Sequence, residues 1–353
     1  MPTLCASRKS QYKRYKQHSL ALVTLLTGLL TVGTVQAQES SFPLTLENCG
    51  QTLTFEHPVE RIVTVGQATT EILYALGLAD KVKATSVWFT PVQPKYQTVN
   101  SHIPRLADND PSFESVVNQH PDLVTVQYEW HIGANGIVGT REQFHDLGIP
   151  TYVMPTDCVG KDNSTGMDGT RLQLFSTQWL FQSVQDLADI AGVHQRGAEL
   201  VDQLKAREDE VKQRAHQLDS DLSAVFWYSS ADMNVDPFVA GSLGAPAYMM
   251  KQLGIHNIVD TAEEWPMKSW ESIAKANPDI IVIAKMDRRR FPADDYQKKL
   301  EFLHNDPVAS QMDAVKNDHI IMLEATEMDA TLRMIEGMEK LIQALQDQNM
   351  VEE

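Results

Sequence analysis

Three consecutive arginines, Arg288, Arg289 and Arg290, stand in a chain of 353 residues that carries 47 acidic against 30 basic side chains and a formal charge of −17. Planar guanidinium groups pair bidentately with carboxylate, catecholate or phosphate oxygens. Neighbours in a loop point different ways, so one or two of the three are expected to meet an anionic ligand. Aromatic side chains recur at comparable places: Trp88 with Phe89, Tyr128 with Trp130, Trp227 with Tyr228, and Trp265. Flat rings with polar edges suit a large chelate or corrin, and about half of them are expected to touch ligand while the rest pack the core. Gln67, just past the first expected core strand, is counted with these ligand contacts.

Catalytic chemistry finds little support in the spacing. The chain has no G-x-S-x-G elbow, no P-loop, no G-x-G-x-x-G turn after a strand and no H-E-x-x-H pair. Its eleven histidines are scattered without ligand spacing, so no metal site is expected, and His131 beside Trp130 reads as a cleft or surface residue. Gly133, Gly136 and Gly139 punctuate a loop whose N–H groups could wrap an anion, whereas 162–169 misses the ligand pattern of a calcium loop. The expectation is a binding protein, not an enzyme, with no cofactor of its own and a ligand that is itself a metal chelate. The deficit of basic residues excludes nucleic acid as a partner, because phosphate binding draws on clustered Lys and Arg.

The elements that would hold these residues show themselves through a repeat. Shifted by 157 positions, Ser112, Glu114, Ser115, Pro121 and Asp122 fall on Ser269, Glu271, Ser272, Pro278 and Asp279, with apolar positions matching between them. Each copy reads as a Ser-capped short helix, a break at Pro, and a strand buried on both faces of a parallel sheet. A weaker echo relates 71–82 to 248–259, each a helix ended by Gly77 or Gly254. Strands are expected at 61–65, 83–86, 123–127, 151–154, 223–228, 280–284 and 319–323. Ligands collect outside the carboxyl ends of such strands, which is where the aromatics and the arginine triplet fall. Helical periodicity over 171–193 and a more charged helix at 194–218 separate the halves.

At the N-terminus, Arg8, Lys9, Lys13, Arg14 and Lys16 precede an uncharged stretch, 19–37, that closes with Val35-Gln36-Ala37. This is the layout of a secretory signal cleaved after Ala37, and an apolar core of about 13 residues falls short of the roughly 20 that span a bilayer. Its removal takes five basic and no acidic residues, leaving a charge of −22. No Cys follows the cleavage point, so no lipid anchor is expected. Cys49 and Cys158 are the two cysteines left, and spacing alone leaves open a disulfide or two buried thiols. The expected organisation is 1–37 signal peptide, 38–170 N-terminal α/β lobe, 171–193 interlobe helix and 194–353 C-terminal α/β lobe.

Several short motifs occur in a telling order: Pro58-Val59-Glu60-Arg61-Ile62-Val63, the Thr70-Glu71 helix ending Ala75-Leu76-Gly77-Leu78, and the two Glu-x(6)-Pro-Asp blocks. Leu147-Gly148-Ile149-Pro150 before a strand and the stretch from Asp306-Pro307 to Asp318-His319 extend the series. With them the chain, from about residue 58 to 345, resembles the periplasmic substrate-binding proteins of ABC importers for ferric siderophores and cobalamin. The resemblance implies two Rossmann-like lobes joined by a single long helix, with ligand held in the cleft between them. It implies a monomer that meets an ABC permease dimer in the inner membrane through one exposed Glu on each lobe. Glu71 matches the first-lobe position, whereas Tyr248 stands where the repeat would place the second. A subgroup assigned to a deazaflavin cofactor precursor is similar around Asn48-Cys49-Gly50 and 157–160. The function expected is periplasmic capture of a ferric siderophore or similar iron chelate. Haem, cobalamin or an anionic cofactor precursor are alternatives on the same fold, and an exported α/β hydrolase or metal-dependent enzyme is the alternative of another class.

Overall fold

The computed structural model describes residues 41–164, 168–218 and 221–350. The expected signal segment, 1–37, lies outside the described residues, as do positions 165–167 of the Asp- and Gly-rich loop. The described chain opens on a hairpin, β1 (Leu44–Asn48) and β2 (Gln51–Phe55), turned at Cys49 and Gly50, whose φ angles are 48° and 77°. Two positive-φ residues match the twist of a two-stranded ribbon. The first lobe then alternates β3 (Ile62–Val65), α1 (Gln67–Ala75), β4 (Val82–Ser86), α2 (Gln97–Asn100), β5 (Arg105–Ala107), α3 (Phe113–Val117), β6 (Leu123–Val126), α4 (Arg141–Asp146) and β7 (Thr151–Val153). Its sheet is parallel throughout, in the order β5-β4-β3-β6-β7. One face of β3 and β6, with Val63, Val65, Val124 and Val126, packs on Val116 of α3 and Phe144 of α4. The other, with Ile62 and Leu123, packs on Ile72 and Leu73 of α1. Cover on both faces is why these strands read as unbroken apolar runs.

A short ribbon, β8 (Lys161–Asp162) with β9 (Thr170–Arg171), leads to α5 (Thr177–Ile190) and α6 (His194–Ala215). The second lobe runs β10 (Ser223–Ser229), β11 (Phe238–Val239), α7 (Ala245–Gln252), β12 (His256–Asn257), α8 (Trp270–Ala276), β13 (Ile280–Lys285), α9 (Tyr296–Asn305), α10 (Asp313–Lys316), β14 (Ile320–Glu324) and α11 (Arg333–Asp347). Its sheet is ordered β11-β10-β13-β14, with β12 beside β10 and only β11 antiparallel.

The repeat is one structural unit used twice. Ser112 accepts from the Ser115 N–H at 3.1 Å and Ser269 from the Ser272 N–H at 3.3 Å, so α3 and α8 carry the same cap. His120 and Asn277, 157 positions apart, both take the left-handed conformation that turns the chain from the helix toward its strand. Asp122 then accepts from the N–H groups of Glu60 and Arg61, each at 2.8 Å, while Asp279 accepts from the Ser223 N–H at 2.8 Å. In each lobe this aspartate pins the start of the neighbouring strand, β3 or β10, beside its own. The fainter echo is also structural: Gly77 and Gly254 share a φ of 71°, and Leu78 and Ile255 bond back to the carbonyls of Leu73 and Met250 at 2.8 Å.

The helix expected at 171–193 is shorter, because Arg171 belongs to β9, Ser176 caps α5 through the Gln178 N–H, and Gly192 at φ 77° ends the run. Leu172, within the expected helical span, is 71% exposed. Leu180, Val184 and Leu187 of α5 belong to the first core, and Phe175 just before it to the second. The following helix α6 also reaches both, with Val201 and Leu204 in the first core and Val211 in the second. From the second lobe, α11 sends Ile335 into the first core.

On α5, Asp186 accepts from the Tyr152 hydroxyl at 2.9 Å, and burial pushes its carboxyl up to about 6. The folded chain therefore holds this proton more tightly than the unfolded one. The stability it brings is complete below the usual carboxylate pKa of about 4 and is lost as pH rises through about 6. Asp186→Asn is expected to raise the melting temperature at neutral pH and to flatten its fall between these values. An unaltered pH profile would count against the assignment.

Candidate functional site

A cavity of about 350 Å³ opens between the lobes at the carboxyl ends of both sheets. From the first lobe it receives Phe89 after β4, Tyr128 and Trp130 after β6, and Asp157 after β7. Tyr228 at the end of β10, Arg288 and Arg290 after β13, and Asp329 after β14 come from the second. Tyr228 stacks on Trp265 with centroids 4.3 Å apart, and Tyr128 lies parallel to Trp130 at 6.5 Å. The first turn beneath Gln127 requires Gly66, since a Cβ there would lie 2.3 Å from that of Gln127.

Both ends of the cavity are closed by arginines that join the lobes. Arg288 donates to the Trp88 carbonyl and to Asn109 and lies 5.0 Å above the Phe89 ring. Arg171 pairs with Glu264 at 2.5 Å and donates to the Thr156 carbonyl at 2.9 Å. Where the lobes meet, Asp329 accepts from the Tyr128 hydroxyl, from Gln127 Nε2 at 3.4 Å and from the Ala330 N–H at 2.8 Å. Burial raises the Asp329 carboxyl, and burial together with the Asp329 charge holds the Tyr128 phenol far above its ordinary range. Behind Tyr228, Lys299 is wholly buried and donates to the carbonyls of Tyr228 and Ala284 at 2.6 and 3.2 Å. It ties the ends of β10 and β13 together, and burial pulls its pKa down to about 8.

The structure sorts the residues picked from sequence. Tyr128, Trp130, Tyr228, Trp265, Arg288 and Arg290 line the cavity. Arg289 turns away to Asp295, 2.7 Å distant. Trp88 is buried with its indole on Thr85 at 2.9 Å, and Trp227 is packed against Trp270 and Phe302. Gln67, 1% exposed, accepts from the N–H groups of Phe89 and Thr90, each at 3.2 Å, and shapes the loop from below. His131 is fully buried, stacked behind Trp130 at 3.9 Å and facing Asp110 at 3.2 Å, so it is neither a cleft nor a surface residue. Among residues that sequence reasoning missed, Arg171, Lys161 and Asp329 carry charge into the cavity. The repeat pointed to none of them, because Arg171 and Lys161 come from the connecting ribbon and Asp329 from a turn after the last strand.

A family model described as periplasmic binding protein matches residues 62–326. The chain belongs to the periplasmic binding protein family. A Bacillus subtilis (strain 168) protein, an uncharacterized ABC transporter substrate-binding lipoprotein called YvrC, is 24% identical over 310 residues, 86% of each chain. Among solved structures, an ABC-type Fe3+-hydroxamate transport system from Saccharomonospora viridis superposes with a TM-score of 0.70 at 24% identity, covering 86% of this chain and 99% of that one. The periplasmic heme-binding protein RhuT from Roseiflexus sp. RS-1 gives 0.62 at 20% identity, over 82% and 98%. The likeness to these structures is one of fold.

Within this periplasmic binding protein the docking carboxylate expected at Glu71 is not on the surface. Glu71 is 3% exposed and sits in a bidentate pair with Arg333, with Gln67 Nε2 at 3.0 Å. It ties α1 of the first lobe to the start of α11, because the helix face that carries it is covered by the second lobe. Tyr248 is buried as well, its hydroxyl on Glu208 of α6. Cys49 and Cys158 are joined, with Cα atoms 5.7 Å apart. The disulfide secures the first hairpin to the segment that carries Asp157. Among the described residues no group of His, Cys, Asp and Glu is arranged to hold a metal ion, and no helix is long and apolar enough to cross a membrane.

Proposed function

We propose that this periplasmic binding protein, exported as a monomer after cleavage behind Ala37, captures a ferric siderophore between its lobes and delivers it to an ABC permease dimer. The observation that carries this reading is the interlobe cavity itself, walled by stacked aromatic rings and edged by Arg288 and Arg290, which have no carboxylate partner among the described residues. Such edges suit the oxygen-rich surface of a hydroxamate or catecholate chelate. The solved Fe3+-hydroxamate system of the same fold supports the choice. A cavity of about 350 Å³ lies near the small end of ligand sites and favours a compact chelate over a corrin.

Trp130 and Trp265 lie in the cavity and serve as reporters. Titration with ferric hydroxamates, ferric catecholates, haem and cobalamin is expected to quench tryptophan fluorescence saturably and most tightly with a ferric siderophore. Arg288→Gln with Arg290→Gln should weaken that binding by about 1.5 to 3 kcal/mol for each charged hydrogen bond lost. Tighter binding of haem or cobalamin than of every siderophore would replace the reading. For delivery, burial of Glu71 leaves Glu114 and Glu271, which are exposed and fall on each other in the repeat, as the carboxylate pair offered to the permease. Uptake should fail in the Glu114→Ala, Glu271→Ala double variant while chelate affinity holds.

A further inference from the structure

The cavity contains more negative charge than its arginine edge suggests. Five carboxylates and four cations line it. Asp157 pairs with Lys161 at 2.6 Å and Glu264 with Arg171 at 2.5 Å, Asp294 is held by the Ser229 hydroxyl at 2.8 Å and the Ser230 N–H at 3.0 Å, and Asp168 lies within the field of Lys161 and Arg290. Among the described residues Asp329 forms no ion pair, although the Lys161 charge reaches it across the cavity. Its donors are a phenol, an amide and a backbone N–H, all neutral and all consistent with an ionised acceptor. A carboxylate offers about four lone-pair sites, and three donors leave one open. Burial of an uncompensated carboxylate is costly, and the cost is relieved when a ligand brings the opposite charge. The rings of Tyr128, Tyr228, Trp130 and Trp265 line the same cavity and present π faces that attract a cation.

We propose that Asp329 makes this site selective for chelates that bear a protonated amine, the ammonium meeting Asp329 among the aromatic rings while the metal-binding oxygens face Arg288 and Arg290. The inference rests on the siderophore reading and adds the ligand's charge pattern to it. The cavity thus offers one carboxylate without an ion pair, Asp329, and two guanidinium groups without one, Arg288 and Arg290, among the described residues. A chelate with a cationic arm fits this arrangement, and a uniformly anionic one leaves Asp329 uncompensated.

The test compares two probes that differ in one charge, ferrioxamine B with its free terminal ammonium and its N-acetyl derivative, by tryptophan quenching of the full chain. Wild-type protein should bind the ammonium form roughly tenfold to a hundredfold more tightly, as one charged hydrogen bond implies. Asp329→Asn, which keeps the shape and an acceptor for Tyr128, should bring the two affinities together. Equal affinities in the wild type, or a preference that survives Asp329→Asn, overturns the inference and leaves the siderophore reading standing. Failure of both chelates to bind overturns the hydroxamate reading and this inference with it. The wild-type comparison needs no variant, so a folding defect in Asp329→Asn does not blunt it.

Discussion

Replacing Glu71 with alanine is expected to cost about 3–5 kcal/mol, because it leaves the Arg333 guanidinium buried without its counter-charge. Both side chains are almost closed to solvent, at 4% and 7% exposure. The Pro91 carbonyl, which already accepts from Arg333 at 2.8 Å, cannot replace a bidentate carboxylate. At roughly 2 °C per kcal/mol for a chain of this size, the melting temperature should fall by about 6 °C or more. The double replacement Glu71→Met, Arg333→Met should recover most of the loss, since it removes both charges and their desolvation together. If Glu71→Ala melts like the wild type, the carboxylate is not buried in solution and its role at the permease returns to consideration. The pair joins α1 to α11, so its loss is also expected to loosen the relation between the lobes.

The second large effect concerns the Cys49–Cys158 bond. It closes 109 residues of chain, and removing that constraint from the unfolded state is expected to cost about 4–5 kcal/mol, less whatever strain the bond carries. Cys49→Ala with Cys158→Ala should show this in denaturant unfolding. Ligand affinity should fall too, because Asp157, next to Cys158, accepts from the Glu129 N–H at 2.6 Å and anchors Lys161 at the cavity wall. Protein exported to an oxidising compartment and unfolded without reductant should take up no thiol label. Labelling at both positions would rule the bond out.

The central strands of both lobes were legible, though β5, β11, β12 and the first hairpin were not, because a strand covered on two faces must be apolar at every position, as Ile62–Val65 and Ile280–Lys285 are almost throughout. The repeat was legible for a related reason: cap, left-handed turn and strand-pinning aspartate are local devices whose chemistry depends on the few residues that make them. Ribbons such as β8 with β9 left no such mark. Two-residue strands are set by what they pair with, and periodicity cannot show a partner.

Residue types and chain order by themselves determined the fold class and the loops that could meet a ligand. Which side chains turn into the cavity was decided only by tertiary packing. Trp227 and Tyr228 are neighbours in β10, and the strand's alternation sends the first into the core and the second into the cavity. Trp88 stands two residues past β4 as Tyr128 does past β6, yet Val87 before it turns at a φ of 58° and Trp88 ends in the core. Glu71 is the clearest case. An acidic residue in the first turns of a helix reads as exposed until an arginine 262 positions away is brought against it, and no local rule reaches that far. Asp329 becomes informative in the same way, through the absence of an ion-pair partner among the described residues, a property of the assembled cavity and not of any stretch of chain.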